Sequence, residues 1–356
     1  MSELSRRKVD HLDLCANEDV EARRGTLLDQ VHLLHDALPD LSTEDVDASV
    51  RCMGKRLEAP LLITGMTGGA DRATAVNRAL ASVAQKHGFA FGLGSQRAME
   101  RDPSVAASYQ VRDVAPDVLL FGNLGAVQAR DRSSAQVGDL VGGVGADAIC
   151  IHLNVAQELV QDEGDRDFRG CVDAIQRLVE ELPVPVIAKE TGCGLGPAAL
   201  DRLHRAGVRW VDVSGAGGTS WPGVESLRGS ERQHALGSEL REWGIPTAAC
   251  IRYASARDFS VIASGGIRGA VDAVRSLVLG GELAGLALPF FRAYERGGVL
   301  ALDAFASRLV EGIHSVMLLV GARCTAELRE LPRVLGPELR EWIREPERPG
   351  PEGREA

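Results

Sequence analysis

Seven times along the chain, a short apolar run stops at side chains able to do chemistry. Thr64-Gly65-Met66-Thr67-Gly68-Gly69 ends the first run and Gly94-Ser95-Gln96-Arg97 follows the second. Asn123 ends the third, His152-Leu153-Asn154 the fourth and Lys189-Glu190 the fifth. Ser214-Gly215 closes the sixth, and Ser264-Gly265-Gly266-Ile267-Arg268 the seventh. One such residue means little, but solubility alone does not account for seven in series.

Each cluster suggests a chemistry and has a plainer alternative. Gly265-Gly266, with Gly285-Leu286-Ala287-Leu288-Pro289 after it, suits a phosphate. Glycines let backbone N–H groups approach the oxygens, and a helix N-terminus adds a favourable dipole. The alternative is a tight strand-to-helix turn. Lys189 closes the apolar run Val186-Ile187-Ala188. A buried ammonium needs an anion or an electron-rich ring edge, which suits the pyrimidine side of a flavin. The plainer alternative is a structural ion pair with Glu190 or Asp212. Gln157-Glu158 follows His152 and Asn154 closely. A lone carboxylate can hold hydrated Mg²⁺ when substrate phosphates supply further oxygens, or it can be an ordinary first-turn helix charge. His152 alone reads equally as a satisfied core histidine. No spacing suits zinc. Arg6-Arg7-Lys8 reads as a solvated, disordered basic tail unless the arm folds over a binding site, where Arg and Lys would neutralise a diphosphate.

The elements that must position these residues follow a strand–helix rhythm from Pro60 onward. Strands are predicted at 61–64, 89–92, 118–123, 148–154, 186–190, 210–214, 260–264 and 283–287. Helices are predicted at 72–87, 168–182, 197–206 and 271–279. Continuous apolar strands alternating with helices indicate a parallel sheet covered on both faces. Eight units fit a closed (β/α)8 barrel, a TIM barrel, better than an open sheet, and no GxGxxG turn follows the first strand. In such a barrel the reactive groups gather at the C-terminal strand ends. Residues 1–59 are expected to form an N-terminal arm and capping segment, 60–344 the barrel, and 345–356 a disordered tail rich in Pro, Glu, Arg and Gly. The glycine-rich insertion 215–232 is long enough to be functional.

Composition narrows the class. A net charge of −10 argues against nonspecific binding to nucleic acid or anionic membrane, so an anionic substrate needs a local basic site. The 7 cysteines are scattered without a CxxC pair, as in a reduced cytoplasmic protein. No apolar run reaches the roughly 18 residues needed to span a bilayer, and no secretory leader is expected.

Taken with Lys8-Val9-Asp10-His11 and Ser214-Gly215-Ala216-Gly217-Gly218-Thr219-Ser220-Trp221, these motifs resemble the series of type 2 isopentenyl-diphosphate isomerase across nearly the whole chain. Ser-Gly-Gly-Ile-Arg recurs in other FMN barrels; Gly-Ser-Gln-Arg combined with His-Leu-Asn and Gln-Glu is more specific. The resemblance implies interconversion of isopentenyl and dimethylallyl diphosphate, with FMN reduced by NADPH (or NADH) and with Mg²⁺. It implies a homotetramer or homo-octamer. Carried over residue by residue, it makes Gln157 the residue that assists proton transfer and Glu158 the Mg²⁺ ligand. Arg7, Lys8, His11, Ser95, Arg97, His152, Asn154 and Gln157 would bind substrate. Thr64, Met66, Thr67, Ser95, Asn123, Lys189, Ser214, Thr219, Gly265, Gly266, Arg268, Ala287 and Leu288 would contact FMN. The family pattern has proline after His-Leu-Asn; here Val155 stands there, which predicts a less rigid loop.

Two competing readings remain at this level. An FMN-dependent α-hydroxy-acid oxidase or dehydrogenase needs a histidine base on the late strands, and His234 and His314 are poorly placed. A nucleophilic-cysteine enzyme would have to use Cys193 in Thr191-Gly192-Cys193-Gly194. A barrel that only binds flavin or phosphate is the non-catalytic alternative.

Overall fold

The computed structural model describes residues 3–69 and 71–344; the tail expected at 345–356 lies outside the described residues. Eight parallel strands close into a barrel: β1 (Leu61–Ile63), β2 (Ala90–Gly92), β3 (Leu119–Gly125), β4 (Ala148–Leu153), β5 (Val186–Glu190), β6 (Trp210–Asp212), β7 (Ser260–Ser264) and β8 (Leu283–Leu286). β8 pairs with β1 and shuts the ring. The expected strands and the observed ones agree to within a few residues. β6 stops early because Ser214 adopts φ 34 and turns the chain out of the sheet.

Side chains alternate across each strand, so the apolar core divides in two. Leu62, Ala90, Leu119, Phe121, Ala148, Cys150, Ile187, Ile262 and Leu283 fill the barrel, with Cys52 and Leu57 plugging its lower end. Those last two come from an antiparallel hairpin, Val50–Cys52 with Lys55–Leu57. Their neighbours along each strand, such as Ile63, Leu120, Ile149 and Ala263, face outward into the larger core under the helices.

The helices that matter for the site are α1 (Glu3–Asn17), α2 (Asp71–His87), α3 (Val155–Val160), α4 (Trp221–Ser226), α5 (Thr247–Ser255), α6 (Ala270–Val278) and α7 (Leu288–Leu319). α7 is broken at Gly297-Gly298, where Gly298 sits at φ 60, ψ −151. α1 corrects the reading of Arg6-Arg7-Lys8 as a disordered tail: Arg7 and Lys8 belong to a 15-residue helix. Its spacing explains why it docks. Leu12 and Cys15 are 2% and 3% exposed, and Lys8 and His11 precede them by four residues on the same face. All seven cysteines are free. No helix among the described residues is long and apolar enough to cross a membrane.

Candidate active site at the barrel mouth

The pleat delivers the chemistry. Leu62, Phe121, Cys150, Ile187 and Ile262 point into the barrel, so the residues two further along point the same way one layer higher. Those are Thr64, Asn123, His152, Lys189 and Ser264, and all of them line one cavity at the mouth. The space inside it, counted to the solvent opening, is about 1360 Å³. Every residue expected to bind substrate, flavin or metal lines this cavity except Thr67. Thr67 borders a small side cavity with Lys8, His11, Leu12, Cys15, Met66 and Trp221, and its buried hydroxyl has no partner.

One half of the mouth is made of backbone. Gly265, Gly266, Ala287 and Leu288 line it, and none of their four amides donates a hydrogen bond within the described chain. Leu288 opens α7, so two of them stand at a helix N-terminus. Gly266 has φ +73, and a Cβ there would lie 2.3 Å from Thr26 Cγ2 and 2.4 Å from the Gly217 carbonyl. A phosphate group fits these free donors. Arg268, expected to bind cofactor directly, is held by Glu21: its Nε donates to Glu21 Oε1 at 2.8 Å, while Arg292 takes Glu21 Oε2 at 3.1 Å. Lys189 resolves its two readings into one arrangement. It lines the cavity and donates to Asp212 Oδ2 at 2.8 Å. Asp212 also accepts from the Ser264 hydroxyl.

The opposite half is made of side chains. Lys8 has no hydrogen-bond or ion-pair partner among the described residues. Burial, then the charges of Arg7 and Arg97, push its ammonium down to about 8. Arg7 donates to Gln161 Oε1 at 3.0 Å, and its Nε is buried without an acceptor. Arg97 reaches its nearest carboxylate, Asp165, only at 4.0 Å. A concave site with surplus cations and uncommitted donors fits a multiply charged anion. His152 lies between the halves. Asn123 Nδ2 donates to the Leu93 carbonyl at 3.0 Å, which turns Asn123 Oδ1 toward His152 Nδ1 at 2.8 Å. His152 Nδ1 therefore carries the proton and Nε2 is left as an acceptor. Burial, then Lys8, Lys189 and Arg97, push its pKa down to about 3, so the ring is neutral at pH 7.

Gln157 and Glu158 sit on α3, directly after Asn154. Val155 is the first residue of that helix, a position that accommodates proline as well as valine. Helical pairing replaces the loop expected there. Gln157 Nε2 donates to Glu225 Oε1 at 2.9 Å. A carboxylate only accepts, so the amide nitrogen is fixed on Glu225 and Gln157 Oε1 is left for a ligand. Glu158 Oε1 accepts from Asn154 at 2.9 Å and Oε2 from the Asp165 amide at 2.8 Å. No group of three or more His, Cys, Asp or Glu able to hold a metal exists among the described residues. Glu158 therefore fits Mg²⁺ only as one ligand of a set completed by water and phosphate.

Comparison with known proteins decides between the competing barrels. Residues 132–332 match the model of the FMN-dependent dehydrogenase family. The isopentenyl-diphosphate delta-isomerase of Halobacterium salinarum is 43% identical over 344 residues, covering 95% of each chain. Its counterpart from Thermococcus onnurineus is 40% identical over 349 residues, 95% of this chain and 93% of that one. This chain belongs to the isopentenyl-diphosphate delta-isomerase family. Among solved structures, a mandelate oxidase variant with (S)-mandelic acid superposes with a TM-score of 0.64, covering 93% of this chain and 96% of that one. At 18% identity that likeness shows the shared barrel alone.

The isomerase family framework also accounts for what is missing. His234 and His314 do not line the mouth, so no histidine base stands where a hydroxy-acid oxidase would need one. Cys193 does not line the mouth either, and burial, then Glu190, push its thiol well up, away from the reactive thiolate. Glu190 is tied up in its turn, accepting on Oε2 from the amides of Thr191, Gly192, Cys193 and Gly194.

The residue that sequence reading missed is Glu225. It is fully buried on α4, and Oε1 accepts from His11 at 2.9 Å, Gln157 at 2.9 Å and Gln161 at 2.7 Å. Arg228 takes Oε2 at 2.8 Å. Burial would push this carboxyl up, but the His11 and Gln157 hydrogen bonds and the Arg228 charge hold it well below the usual range. The signal available was one of two carboxylates, Glu225 and Glu231, in the insertion 215–232. Trp221, which stacks edge-on to His11 with ring centroids 5.1 Å apart, comes from the same helix.

Proposed function

We propose that the mouth cavity interconverts isopentenyl diphosphate and dimethylallyl diphosphate. The observation that carries this reading is the pairing, in one cavity, of Lys8 without a counterion and four uncommitted amides at Gly265, Gly266, Ala287 and Leu288. Two separate phosphate-class subsites suit a flavin mononucleotide and a diphosphate bound together, with the remaining space for a ring against a five-carbon chain.

Moving the double bond by one position requires a proton added at one carbon and another removed elsewhere, with no net redox change. Reduced FMN, when bound, supplies an electron-rich ring whose N5 exchanges a proton and whose face stabilises a neighbouring tertiary cation. In this reading the chain's own residues do the rest. Thr64, Met66, Ser95, Asn123, Lys189, Ser214, Thr219 and Arg268 would hold the flavin, and the Lys189 ammonium would stabilise negative charge on the reduced ring. Arg7, Lys8, His11, Ser95, Arg97, His152 and Asn154 hold the diphosphate and its surroundings. Gln157, with its amide nitrogen fixed by Glu225, presents Oε1 to the isoprenoid carbons and orients or relays the proton. Glu158 holds Mg²⁺ through water against the diphosphate. α1 closes over the substrate and excludes bulk water.

NADPH or NADH is the reductant in this reading, and the enzyme works in the cytoplasm as a homotetramer or homo-octamer. Anaerobic incubation with isopentenyl diphosphate, FMN, Mg²⁺ and NADPH, followed by product analysis, tests it. The expected product is dimethylallyl diphosphate, with FMN and Mg²⁺ both required. Unchanged alkene in the complete mixture, or lactate-dependent reduction of the flavin, rejects the assignment.

A further inference from the structure

The opposite end of the barrel carries a second basic cavity. We infer that Arg252, Arg329 and Arg333 form a phosphate-class anion site at the N-terminal face, bridging α5, α6 and the C-terminal segment of the chain. The cavity, counted to the solvent opening, is about 820 Å³ and is lined by those three arginines, Ser255, Asp258 and Glu282, among others. It lies between the ends of α5 and α6 and the starts of β7 and β8.

Its plainer role is carbonyl capping, since helix C-termini attract cations. Arg252 Nη1 does donate to the Leu279 carbonyl at 3.2 Å, and Arg333 Nη1 to the Arg329 carbonyl at 3.0 Å. Arg329 Nη2 reaches the Gly281 carbonyl at 3.3 Å. Capping uses one nitrogen of each group. Nε and Nη2 of both Arg252 and Arg333 have no partner among the described residues.

The charge is not balanced either. Glu282 reaches only Arg329, at 3.8 Å, and among the described residues no carboxylate lies within 4.0 Å of Arg252 or Arg333. Burial, then the Arg333 charge, lowers the pKa of Arg252, so the pair repels in the free protein. In a chain of net charge −10, two half-buried guanidinium groups that line one cavity, with no described carboxylate within 4.0 Å of either, are set up to share an anion. Each presents donors in the planar fork that suits phosphate oxygens. The N-terminal face of such a barrel serves stability rather than chemistry. The anion would therefore act by pinning the C-terminal segment to the barrel.

The test uses FMN-saturated full-length protein, with inorganic phosphate and diphosphate as separate probes. Thermal midpoints are compared with those in sodium chloride of equal ionic strength. At ten times the dissociation constant the midpoint is expected to rise by about 2–3 °C. In the Arg252→Gln/Arg333→Gln double variant this part of the rise should be lost, leaving only what anion binding at the mouth contributes, while isomerase turnover stays unchanged. A wild-type crystal soaked in tungstate keeps the test independent of that variant's folding. Density among the three guanidinium groups is expected. A rise reproduced by chloride, a rise in the folded double variant as large as in wild type, or tungstate found only at the barrel mouth overturns the proposal.

Discussion

The two halves of the mouth are built from different materials. On the β7–β8 side, the donors facing the cavity are main-chain amides at Gly265, Gly266, Ala287 and Leu288, set by strand ends and the start of α7. On the α1 side they are Arg7, Lys8 and His11, side chains delivered by a helix distant in sequence from the barrel. Backbone donors are present whenever the barrel is folded, cost no side-chain entropy and do not titrate. Side-chain donors depend on α1 docking, on mutual repulsion and on pH. On the proposed reading, one cavity holds a permanent subsite for a resident cofactor and an adjustable one for a substrate that must leave.

That contrast can be broken at four points. The largest effect is expected at the junction, where Gln157→Asn withdraws the amide by one methylene from its place against Glu225. Turnover should fall by about 10²–10⁴-fold, with FMN affinity unchanged by fluorescence titration. Full turnover in a variant that binds FMN normally would remove Gln157 from the mechanism. Next, Lys8→Met deletes the unpaired charge. A charged hydrogen bond of about 1.5–3 kcal/mol implies that kcat/KM drops by roughly 10–100-fold, through KM, while the flavin spectrum stays as in wild type. A parallel loss of FMN would erase the distinction between the halves.

The third point is the backbone side. Gly266→Ala forces a side chain onto φ +73 and against the Gly217 carbonyl. Strain of about 1–3 kcal/mol should weaken FMN binding by tenfold or more, with KM for isopentenyl diphosphate of the reconstituted enzyme little changed. The smallest effect is on pH. In the free protein burial and the neighbouring arginines push the Lys8 ammonium down to about 8, and the proposed diphosphate binding requires its charged form. KM should be flat below that pH and rise as pH climbs through it, by at most tenfold per unit. The Lys8→Arg variant should lack this rise, because a guanidinium does not deprotonate there. An identical rise in both enzymes would assign the titration to another group.

How far the sequence carried depended on whether a residue's role was local. The barrel was legible because each strand is a short apolar run whose ends carry their own punctuation. Thr64, Asn123, His152, Lys189 and Ser264 were legible because the period of two and the C-terminal-face rule together fix where they point. Glu225 was not, because its burial is tolerable only through His11, Gln157, Gln161 and Arg228, donors from α1, α3 and its own neighbourhood. Glu21 was missed for the same reason: nothing near it in sequence announces Arg268 and Arg292. The helical spacing of Lys8, Leu12 and Cys15 carries a signal for α1, but the charge run Arg6-Arg7-Lys8 also fits a solvated tail. Lys189 left two readings open, and the fold realises the ion pair and the cavity position together.

The central claim is a divided pocket, and the most direct measurement is a crystal structure of the anaerobically reduced FMN complex with isopentenyl diphosphate and Mg²⁺. The account predicts the flavin phosphate on the amides of Gly265, Gly266, Ala287 and Leu288. It predicts the diphosphate among Arg7, Lys8 and Arg97, with the metal between it and Glu158 and the carbon chain beside Gln157. A diphosphate seated on the β7–β8 amides, or one that binds only when FMN is displaced, would contradict it.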